Sequence, residues 1–392
     1  MMTTPSCHLC GHDALHEVAG YGRLLRITSD VRIWPAGGRL AVCRACGAVQ
    51  KPATAAWRSE CQAIYSTYVV YRQNGGNEQA VFASSGGGEA RSLLLLRKLV
   101  DGFGLPSDGH HLDFGCGDGS LLRNAAALLP AWKRAGAELN DSRRPEIEAI
   151  PGVEDFYAGS PSAIPRRFDL VTTVHVLEHF ERPMAILSTL VGMLVPDGKL
   201  VIEVPDLRTS PFDLLIADHA THFTPAVLRN VLTESGLYVD CLTDSWIPRE
   251  LSVVARHAAL PEGTAVLPTD PPADQVWRAS LERVEHHIDW LTRLRDSARA
   301  AAVAGPVGIF GTSIAATWLA AHVSDSIAFF VDEDMQRVGG TYLGRPILHP
   351  RQVPDGARVF VAHTPAFADK IACRLAELDR FTVIRPPDGV FV

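Results

Sequence analysis

The sequence lacks the features that direct a chain into or across a membrane. Its N-terminus has no basic region followed by an apolar run, so we expect no signal peptide. Its most apolar stretch, residues 303–321, is interrupted by glycine and proline, which is typical of a buried strand and helix and not of a membrane span. We therefore predict a cytoplasmic protein with no membrane partner.

The sequence also lacks an excess of positive charge. The formal net charge is -7 at pH 7, so no general field attracts nucleic acid. No run combines arginine or lysine with aromatic residues, which makes a nucleic-acid partner unlikely on composition alone. The 392 residues are enough for two or three domains, and 47% hydrophobic with 21% charged residues is typical of a globular protein.

Half of the eight cysteines fall in two CxxCG motifs, which contain Cys7 with Cys10 and Cys43 with Cys46. Each motif offers two thiolates on a tight turn, and two such turns complete a tetrahedral zinc site. Disulfides are disfavoured in a chain without a secretory signal. We predict a structural zinc ion, whose closed coordination shell excludes chemistry at the metal.

A glycine-rich loop follows a short apolar strand in the sequence HLDFGCGDGSLLR, residues 111–123. Glycine allows the backbone to turn sharply and a ligand to come close. The loop carries Asp113 before it and Asp118 within it, and this negative charge suits an ammonium or sulfonium group better than a phosphate. The candidate ligand-binding residues of the loop are Asp113, Gly115, Cys116 and Gly117.

After the loop, strands and helices alternate as in a doubly wound parallel sheet. The second strand ends at Glu138, about twenty residues beyond the loop, where an acid can accept hydrogen bonds from a ribose diol. A third strand leads to Ser160, which we place near an adenine edge. The fourth strand is apolar and leads into His175 and His179.

Five segments over residues 91–256 resemble the class I S-adenosylmethionine-dependent methyltransferases: LDFGCGDGS, GAEL, FDLVTTVHVLEHF, LVPDGKLVIEVP and HFTPAVLRNVLTESGL. The resemblance implies a Rossmann-like α/β core with S-adenosylmethionine as cofactor. It assigns the methionine part to the glycine loop, the ribose to Glu138 beside Leu139, and the cofactor pocket wall to His175. A nicotinamide cofactor fits poorly, because it gives the LEH and PDG segments no role.

The whole chain resembles the three-domain, zinc-containing C-methyltransferases that act on nucleotide-linked sugars. In that family a histidine follows the fourth strand, and His179 matches it. A Glu-His pair follows the fifth strand, and Asp218-His219 occupies its position, while Ile216 replaces the family's tyrosine. The loss of that phenol leaves C- versus O-methylation open.

Methyl transfer requires a positioned acceptor and a base, and an imidazole with a pKa near 6.5 can serve at neutral pH. We predict His219 as base, with Asp218 fixing its ring, His179 as second acid/base or substrate anchor, and His222 as a rival. Tyr65, Tyr68 and Tyr71 recur every three residues and form either a core stripe or a lid that hydrogen-bonds the substrate.

Three domains are predicted: a zinc-binding domain with a tyrosine-rich link over residues 1–75, the methyltransferase core over 76–258, and a C-terminal unit over 259–392. The last contains a proline-rich linker, a long helix from Gln275 to Ala304 and a Rossmann-like α/β domain. Its short glycine pattern does not predict a second cofactor. We expect it to cover the substrate cleft, since ligands favour domain junctions.

The predicted function is methyl transfer from S-adenosylmethionine to a small molecule, a nucleotide-linked sugar or related natural-product intermediate. The first alternative is an RNA methyltransferase that grips nucleic acid with its zinc knuckles. The second is a non-catalytic binding protein that keeps the cofactor fold as a scaffold; the complete glycine loop, Glu138 and the LEH segment argue against it. The oligomeric state is left open.

Overall fold

The structure, a computed structural model, describes residues 5–69, 78, 80–82, 88–257 and 273–391. Tyr71 of the predicted tyrosine series and most of the predicted proline-rich linker lie outside these residues. Within the described part of the chain, three sheets of four or more strands follow one another along the sequence.

The N-terminal unit is a small sheet with one helix packed beside it. Its elements are β1 (Leu15–Glu17), β2 (Arg26–Ile27), β3 (Ile33–Trp34), β4 (Ala41–Cys43), β5 (Val49–Gln50) and α1 (Ala55–Tyr65). Strand β3 pairs with β2, and β4 pairs with β1 and β5. Thr54 caps α1 by accepting a hydrogen bond from the Trp57 amide at 3.1 Å.

The central unit contains a seven-stranded sheet with helices on its faces. Its elements are β6 (Ala80–Phe82), β7 (Gly88–Ala90), α2 (Arg91–Gly102), β8 (His110–Phe114), α3 (Ser120–Leu128), β9 (Lys133–Glu138), α4 (Arg144–Glu148), β10 (Val153–Ala158), β11 (Phe168–Val174), α5 (Pro183–Gly192), β12 (Leu194–Pro205), β13 (Thr221–His222), α6 (Pro225–Glu234), β14 (Leu237–Thr243) and β15 (Glu250–His257).

The strand order of this sheet is β10-β9-β8-β11-β12-β15-β14, and only β15 runs antiparallel to its neighbours. The order reverses between β8 and β11, and ligands of such sheets bind in the crevice outside the carboxyl ends of the strands at that point. The predicted α/β core is confirmed. The PDG segment lies inside β12, at a place where the register between β11 and β12 shifts.

The C-terminal unit begins with a 31-residue helix, α7, and continues as a second α/β sheet. Its elements are α7 (Ala273–Val303), β16 (Val307–Phe310), α8 (Ile314–Val323), β17 (Ile327–Val331), β18 (Thr341–Tyr342), β19 (Arg345–Leu348), β20 (Arg358–Val361), α9 (Pro365–Ala376) and β21 (Thr382–Ile384). The strand order is β18-β19-β17-β16-β20-β21, with every pair but β18–β19 parallel.

One hydrophobic core joins all three units around a single turn of 3-10 helix, Pro211–Leu215. The Tyr21 hydroxyl of the N-terminal unit donates a hydrogen bond to the Leu214 carbonyl at 2.8 Å. On the other side Trp318 of α8 donates its ring N–H to the Leu25 carbonyl at 3.0 Å. Residues of this short helix are therefore held between the first and third units.

The first sheet includes a strand from the central unit. Strand β5 pairs antiparallel with β13, so that Val49 faces His222 and Gln50 faces Thr221. The strand order of the N-terminal sheet is β1-β4-β5-β13. A strand that carries a candidate catalytic histidine is thus held by the N-terminal unit.

None of the described helices is long and apolar enough to span a bilayer.

The centre of the seven-stranded sheet contains a buried histidine with a testable effect on stability. Burial, with help from Arg134, lowers the pKa of His111 to about 3. The folded protein therefore keeps this ring neutral, whereas the unfolded chain takes up a proton below pH 6.5. His111 therefore costs no stability above pH 6.5, and its linkage lowers the free energy of unfolding as the pH falls from 6.5 towards 3.

We expect His111→Leu to remove part of this acid sensitivity. Between pH 6.5 and 5 this histidine should cost the wild type about 2 kcal/mol, at about 1.4 kcal/mol for each pH unit. The Thr172 hydroxyl contacts His111 at 2.9 Å and also donates to Asp113 at 2.8 Å, so it should keep a partner in the variant. Urea unfolding at both pH values measures the difference, and an identical pH dependence in the two proteins would contradict the assignment.

Candidate active site

A cavity of about 830 Å³ lies at the carboxyl ends of the central strands. All three units contribute to its wall. Ser29, Tyr65 and Tyr68 come from the N-terminal unit, and the loop before α8 and its first turn contribute Ser313, Ile314 and Ala315. The central unit supplies the rest, including the glycine loop and the histidines discussed below. The C-terminal unit therefore covers one side of the cavity.

The glycine loop is shaped by close packing at its first glycine. Gly115 has a φ of 81°, and a Cβ there would lie 2.3 Å from a methyl group of Val176. The amides of Gly115 and Cys116 donate to the Ala137 carbonyl at 2.8 and 3.1 Å, which ties the loop to the end of β9. Only glycine fits this position, because a side chain would push the loop away from the strand.

The two acids of the loop have different surroundings. Asp113 is buried, accepts a hydrogen bond from Thr172, and burial raises its pKa to about 7. Asp118 accepts from the Ser120 amide at 3.0 Å and contacts Arg123 at 3.0 Å, so its carboxylate is engaged at the start of α3. Both residues line the cavity.

Three predicted cofactor-binding residues line the cavity at the ends of two strands. Glu138 ends β9 and is followed by Leu139, and Ser160 comes after β10. Glu138 accepts hydrogen bonds from the amides of Gly117 at 3.0 Å and Leu139 at 2.7 Å. A carboxylate has about four acceptor positions, so two bonds leave capacity for a diol. Leu139 is 63% exposed and presents apolar surface beside it. These residues fit the ribose and adenine of S-adenosylmethionine.

A charged cluster surrounds His175, which lines the cavity and has a φ of 54°. Its Nε2 lies 2.8 Å from an Arg91 nitrogen, and its Nδ1 lies 3.3 Å from Glu178. Burial and Arg91 oppose a proton on this ring, but Glu250, Glu178 and Glu203 outweigh them and raise the pKa of His175 to about 10. Held between Arg91 and the surrounding carboxylates, His175 is a structural and electrostatic element of the cavity wall.

His219 is paired with Asp213, which the sequence analysis did not single out. The Asp213 carboxylate lies 2.7 Å from His219 Nδ1 and 2.5 Å from His222 Nδ1. Burial disfavours the charge on Asp213, but the two imidazoles hold its pKa well below the usual range. An ionised carboxylate only accepts, so both Nδ1 atoms carry hydrogen. With Nδ1 of His219 donating to Asp213, Nε2 is the ring nitrogen left to accept a proton, and His219 lines the cavity.

Asp218 does not fix the ring of His219 as expected, because neighbouring side chains on this turn point apart. It accepts hydrogen bonds from the Ser29 amide at 2.9 Å and the Ser29 hydroxyl at 2.5 Å. It faces His179 instead, with 3.4 Å between Asp218 Oδ2 and His179 Nδ1. Burial lowers the pKa of His179, but Asp218 and Glu178 reverse this and raise it.

The two candidate histidines meet in one place. The rings of His179 and His219 are edge to face, with centroids 4.6 Å apart. The Tyr65 hydroxyl lies 3.1 Å from His179 Nδ1, and the Tyr68 ring packs on Tyr65 at 5.9 Å. This arrangement brings two imidazoles and a phenol together in the same wall of the cavity. His222 lies behind His219 and does not line the cavity.

The four cysteines of the CxxCG motifs form a compact cluster. Their sulfur atoms all lie within 4.8 Å of one another, and the Cys7–Cys46 and Cys10–Cys43 distances are both 3.6 Å. The thiols are free and not joined as disulfides. Sulfurs bound tetrahedrally at about 2.3 Å from zinc are about 3.8 Å apart, so the cluster fits this ion.

The second glycine pattern spans the end of β16 and the loop before α8. Asp332 follows β17 in the position of a ribose-binding acid, but its carboxylate accepts a hydrogen bond from Thr312 at 3.1 Å and pairs with Arg337 at 3.3 Å. The acid is therefore engaged inside the domain.

Several residues of the cavity wall were missed from the sequence. Asp213 had a local signal, since it is an acid within the apolar run PFDLL, six positions before His219. Ser29, Arg249 and Ser313 had none, because each belongs to a different unit and reaches the cavity only in the folded chain.

The role assigned to Glu138 predicts a large effect on cofactor affinity. We expect Glu138→Ala to weaken the binding of S-adenosylhomocysteine about 10- to 100-fold, because hydrogen bonds to a charged group contribute about 1.5–3 kcal/mol. Isothermal titration calorimetry measures the change. Glu146→Ala, in an exposed ion pair on α4, is the matched control. An unchanged dissociation constant in the first variant would refute the assignment.

Known proteins resemble the central unit. Residues 89–242 match the family described as "Methyltransferase domain". The malonyl-[acyl-carrier protein] O-methyltransferase of Porphyromonas gingivalis is 25% identical over 47% of this chain and 67% of its own length. A ubiquinone biosynthesis O-methyltransferase of Xanthomonas euvesicatoria is 30% identical over 38% of this chain and 61% of its own. This chain spans about half to two thirds of the curated relatives it matches.

Among solved structures, that of the mitomycin 7-O-methyltransferase matches at 19% identity, with a TM-score of 0.37 over 43% of this chain and 54% of that one. The matched family segment contains the glycine loop, Glu138, His175, His179 and His219. The central unit is therefore a methyltransferase domain of the class I, S-adenosylmethionine-dependent kind, as its sequence resemblance indicated.

Proposed function

We propose that this protein transfers a methyl group from S-adenosylmethionine to a small molecule, a nucleotide-linked sugar or related natural-product intermediate, with His219 as general base. The observation that carries the proposal is one cavity in which the cofactor loop and an Asp213–His219 pair both lie. Cofactor binding alone does not require a histidine held in one tautomer beside the loop.

The residues of the chain have separate tasks in this reaction. S-adenosylmethionine, when bound, supplies an electrophilic methyl group. The Gly115–Gly117 loop and Glu138 hold and orient it. Asp213 fixes the Nδ1–H tautomer of His219, so that Nε2 can accept the proton of the acceptor as the new bond forms. Closure of the cavity by three units excludes water from the reacting groups.

The acceptor atom is a hydroxyl oxygen in the simpler form of this proposal. The curated relatives are named O-methyltransferases, and an oxygen acceptor needs only the base. A carbon beside a ketone would also need a donor for the enolate oxygen. The contact between the Tyr65 hydroxyl and His179 at 3.1 Å supports this second form, because it places a phenol and an imidazole next to His219.

A charged group at the far side of the cavity supports an anionic acceptor. Arg249 lines the cavity, and its buried Nε makes no hydrogen bond within the described residues. Its guanidinium lies 5.5 Å from the centre of the Phe367 ring, which fixes its plane. The hydroxyl of Ser313, at the start of α8, also has no partner among the described residues. The phosphate groups of a nucleotide-linked sugar would satisfy both.

We further propose that Cys7, Cys10, Cys43 and Cys46 hold a structural zinc ion. The support is the 3.6 Å spacing of the sulfurs and the absence of disulfides at these four residues. Four thiolates fill a tetrahedral shell, so no coordination position remains for substrate. The ion would stabilise the N-terminal sheet and take no part in methyl transfer.

Incubation with methyl-labelled S-adenosylmethionine and either a nucleotide-sugar pool or total RNA tests the function. Label in a nucleotide-sugar fraction is expected, and label in RNA would support the nucleic-acid alternative. Transfer to neither, together with tight binding of S-adenosylhomocysteine, would favour the non-catalytic alternative. If deuterium from D2O enters the acceptor beside a carbonyl, the acceptor is carbon; transfer without exchange supports oxygen.

A further inference from the structure

A lysine from the N-terminal unit reaches the back of the proposed base. Lys51 directly follows β5, and its residue is only 1% exposed. Its Nζ lies 2.9 Å from His222 Nε2 and 3.0 Å from the His219 carbonyl. Its backbone amide donates to the Ala220 carbonyl at 2.8 Å, which fixes the start of the side chain. The buried lysine therefore contacts residues 219–222, which include the proposed base, at three points.

The hydrogen bonds of this group converge on Asp213. Since His222 Nδ1 carries the hydrogen that Asp213 accepts, Nε2 of the neutral His222 ring is an acceptor. Lys51 has hydrogens on Nζ whether or not it is charged, so it donates to that nitrogen. The order is Lys51 to His222, His222 to Asp213, and His219 to the other Asp213 oxygen.

We infer that Lys51 is a positioning residue for the base: by donating to His222 Nε2 it holds His222 in the tautomer that donates to Asp213, and thereby keeps Asp213 aligned on His219. This inference rests on the proposed function, in which His219 is the base. Without the lysine, His222 Nε2 is free to take a proton and to change tautomer, and Asp213 loses the fixed donor that opposes His219.

The surroundings of the lysine are consistent with this role. The charged or titratable groups around it are Tyr21, Arg26, Glu60, Cys61, Asp213, Asp218 and His222. Burial lowers the pKa of Lys51 to about 7, and burial with the nearby lysine lowers the pKa of His222 to about 4. His222 is thus the neutral acceptor that the hydrogen-bond order requires.

The same set of side chains is a poorer fit to a metal ion. Asp213, His219 and His222 are close enough to share one. However, both Asp213 oxygens already accept imidazole hydrogens, and Lys51 presents hydrogens to His222 at 2.9 Å. A cation here would break these bonds and face the lysine nitrogen, which carries like charge when protonated.

Two substitutions at Lys51 separate a donor from a space filler. Lys51→Met fills the volume without donating, and Lys51→Arg donates without matching the volume. The measurement is the 15N–1H spectrum of the whole protein, labelled at histidine and saturated with S-adenosylhomocysteine, with the signals assigned through His219→Ala and His222→Gln. Methyl transfer to the nucleotide-sugar pool and the dissociation constant of S-adenosylhomocysteine are measured on the same proteins.

We expect Lys51→Met to move His222 Nε2 from the unprotonated to the protonated range and to slow methyl transfer about tenfold or more, with cofactor affinity within twofold. Lys51→Arg should restore the His222 signal. In the His219→Ala background Lys51→Met should have no further effect, because it acts through His219. A purely structural lysine would be replaced better by methionine than by arginine.

Three results would overturn the inference, and they are distinguishable from one another. A His222 signal that is the same in Lys51→Met and wild type, or a Lys51→Met effect that persists in full in the His219→Ala background, removes the inference and leaves the base in place. Undiminished methyl transfer by His219→Ala itself removes the base, and the inference with it.

Discussion

His219→Ala is expected to lower methyl transfer about 10²- to 10⁴-fold, because proton transfer by a positioned side chain contributes that much. The binding of S-adenosylhomocysteine should change less than twofold, since we assign cofactor binding to Glu138 and the glycine loop and not to His219. Label transfer to the nucleotide-sugar pool gives the first quantity and calorimetry the second. His257→Ala, at an exposed strand end, is the control.

A second substitution tests the partner of this base. Asp213→Asn keeps the shape but replaces an acceptor by an amide that can donate, which turns His219 or His222 into the wrong tautomer. We expect a loss of a similar size, since the equivalent change in a serine protease costs about 10⁴-fold. Asp218→Asn should cost less, because Asp218 contacts Ser29 and His179 and not His219. The opposite ranking of the two variants would reassign the base to His179.

Loss of zinc is expected to have the largest effect on stability. Cys43→Ser should remove the ion and lower the melting temperature by about 10 °C or more. Zinc contributes about 10–16 kcal/mol in small zinc-binding peptides, and each kcal/mol corresponds to about 2–4 °C in a domain of this size. Elemental analysis should find one zinc per wild-type chain, and differential scanning calorimetry measures the melting temperature.

Methyl transfer should fall together with this melting step. Cys43 ends β4 and Cys46 lies three residues before β5, which pairs with the strand of His222. Cys373→Ser, an exposed cysteine outside the cluster, should leave metal content and melting unchanged. If the wild type as purified contains no zinc and melts at the same temperature as Cys43→Ser, the proposed site is contradicted.

The cofactor side of the cavity followed from the sequence because its signals are local. A strand, a glycine loop and a helix adjoin in the chain, so the spacing of Asp113, Gly115 and Glu138 determines where they lie. The match of residues 89–242 to a methyltransferase domain confirms the predicted methyltransferase core. The roles of the individual residues, and the predicted domain boundaries, stay predictions.

The acceptor side could not be predicted in the same way. The pairing of Asp218 with His219 was inferred from adjacency, but adjacent side chains diverge, and a carboxylate six positions away reaches the imidazole at 2.7 Å. Ser29 and Lys51 lie about 170 to 190 residues from their partners in the chain. Only the packing of the first unit on the second brings them together, and no local pattern records it.

The pairing of β5 with β13 has a consequence for how this enzyme can be divided. We do not expect residues 89–242, the segment that matches a methyltransferase domain, to fold as an independent unit. Cut free, it would leave β13 without a neighbour, and the Pro211–Leu215 turn would lose the Tyr21 side chain that holds it. Shuffling of this catalytic core between proteins must therefore carry the cysteine-bearing unit along, or rebuild the missing edge from another scaffold.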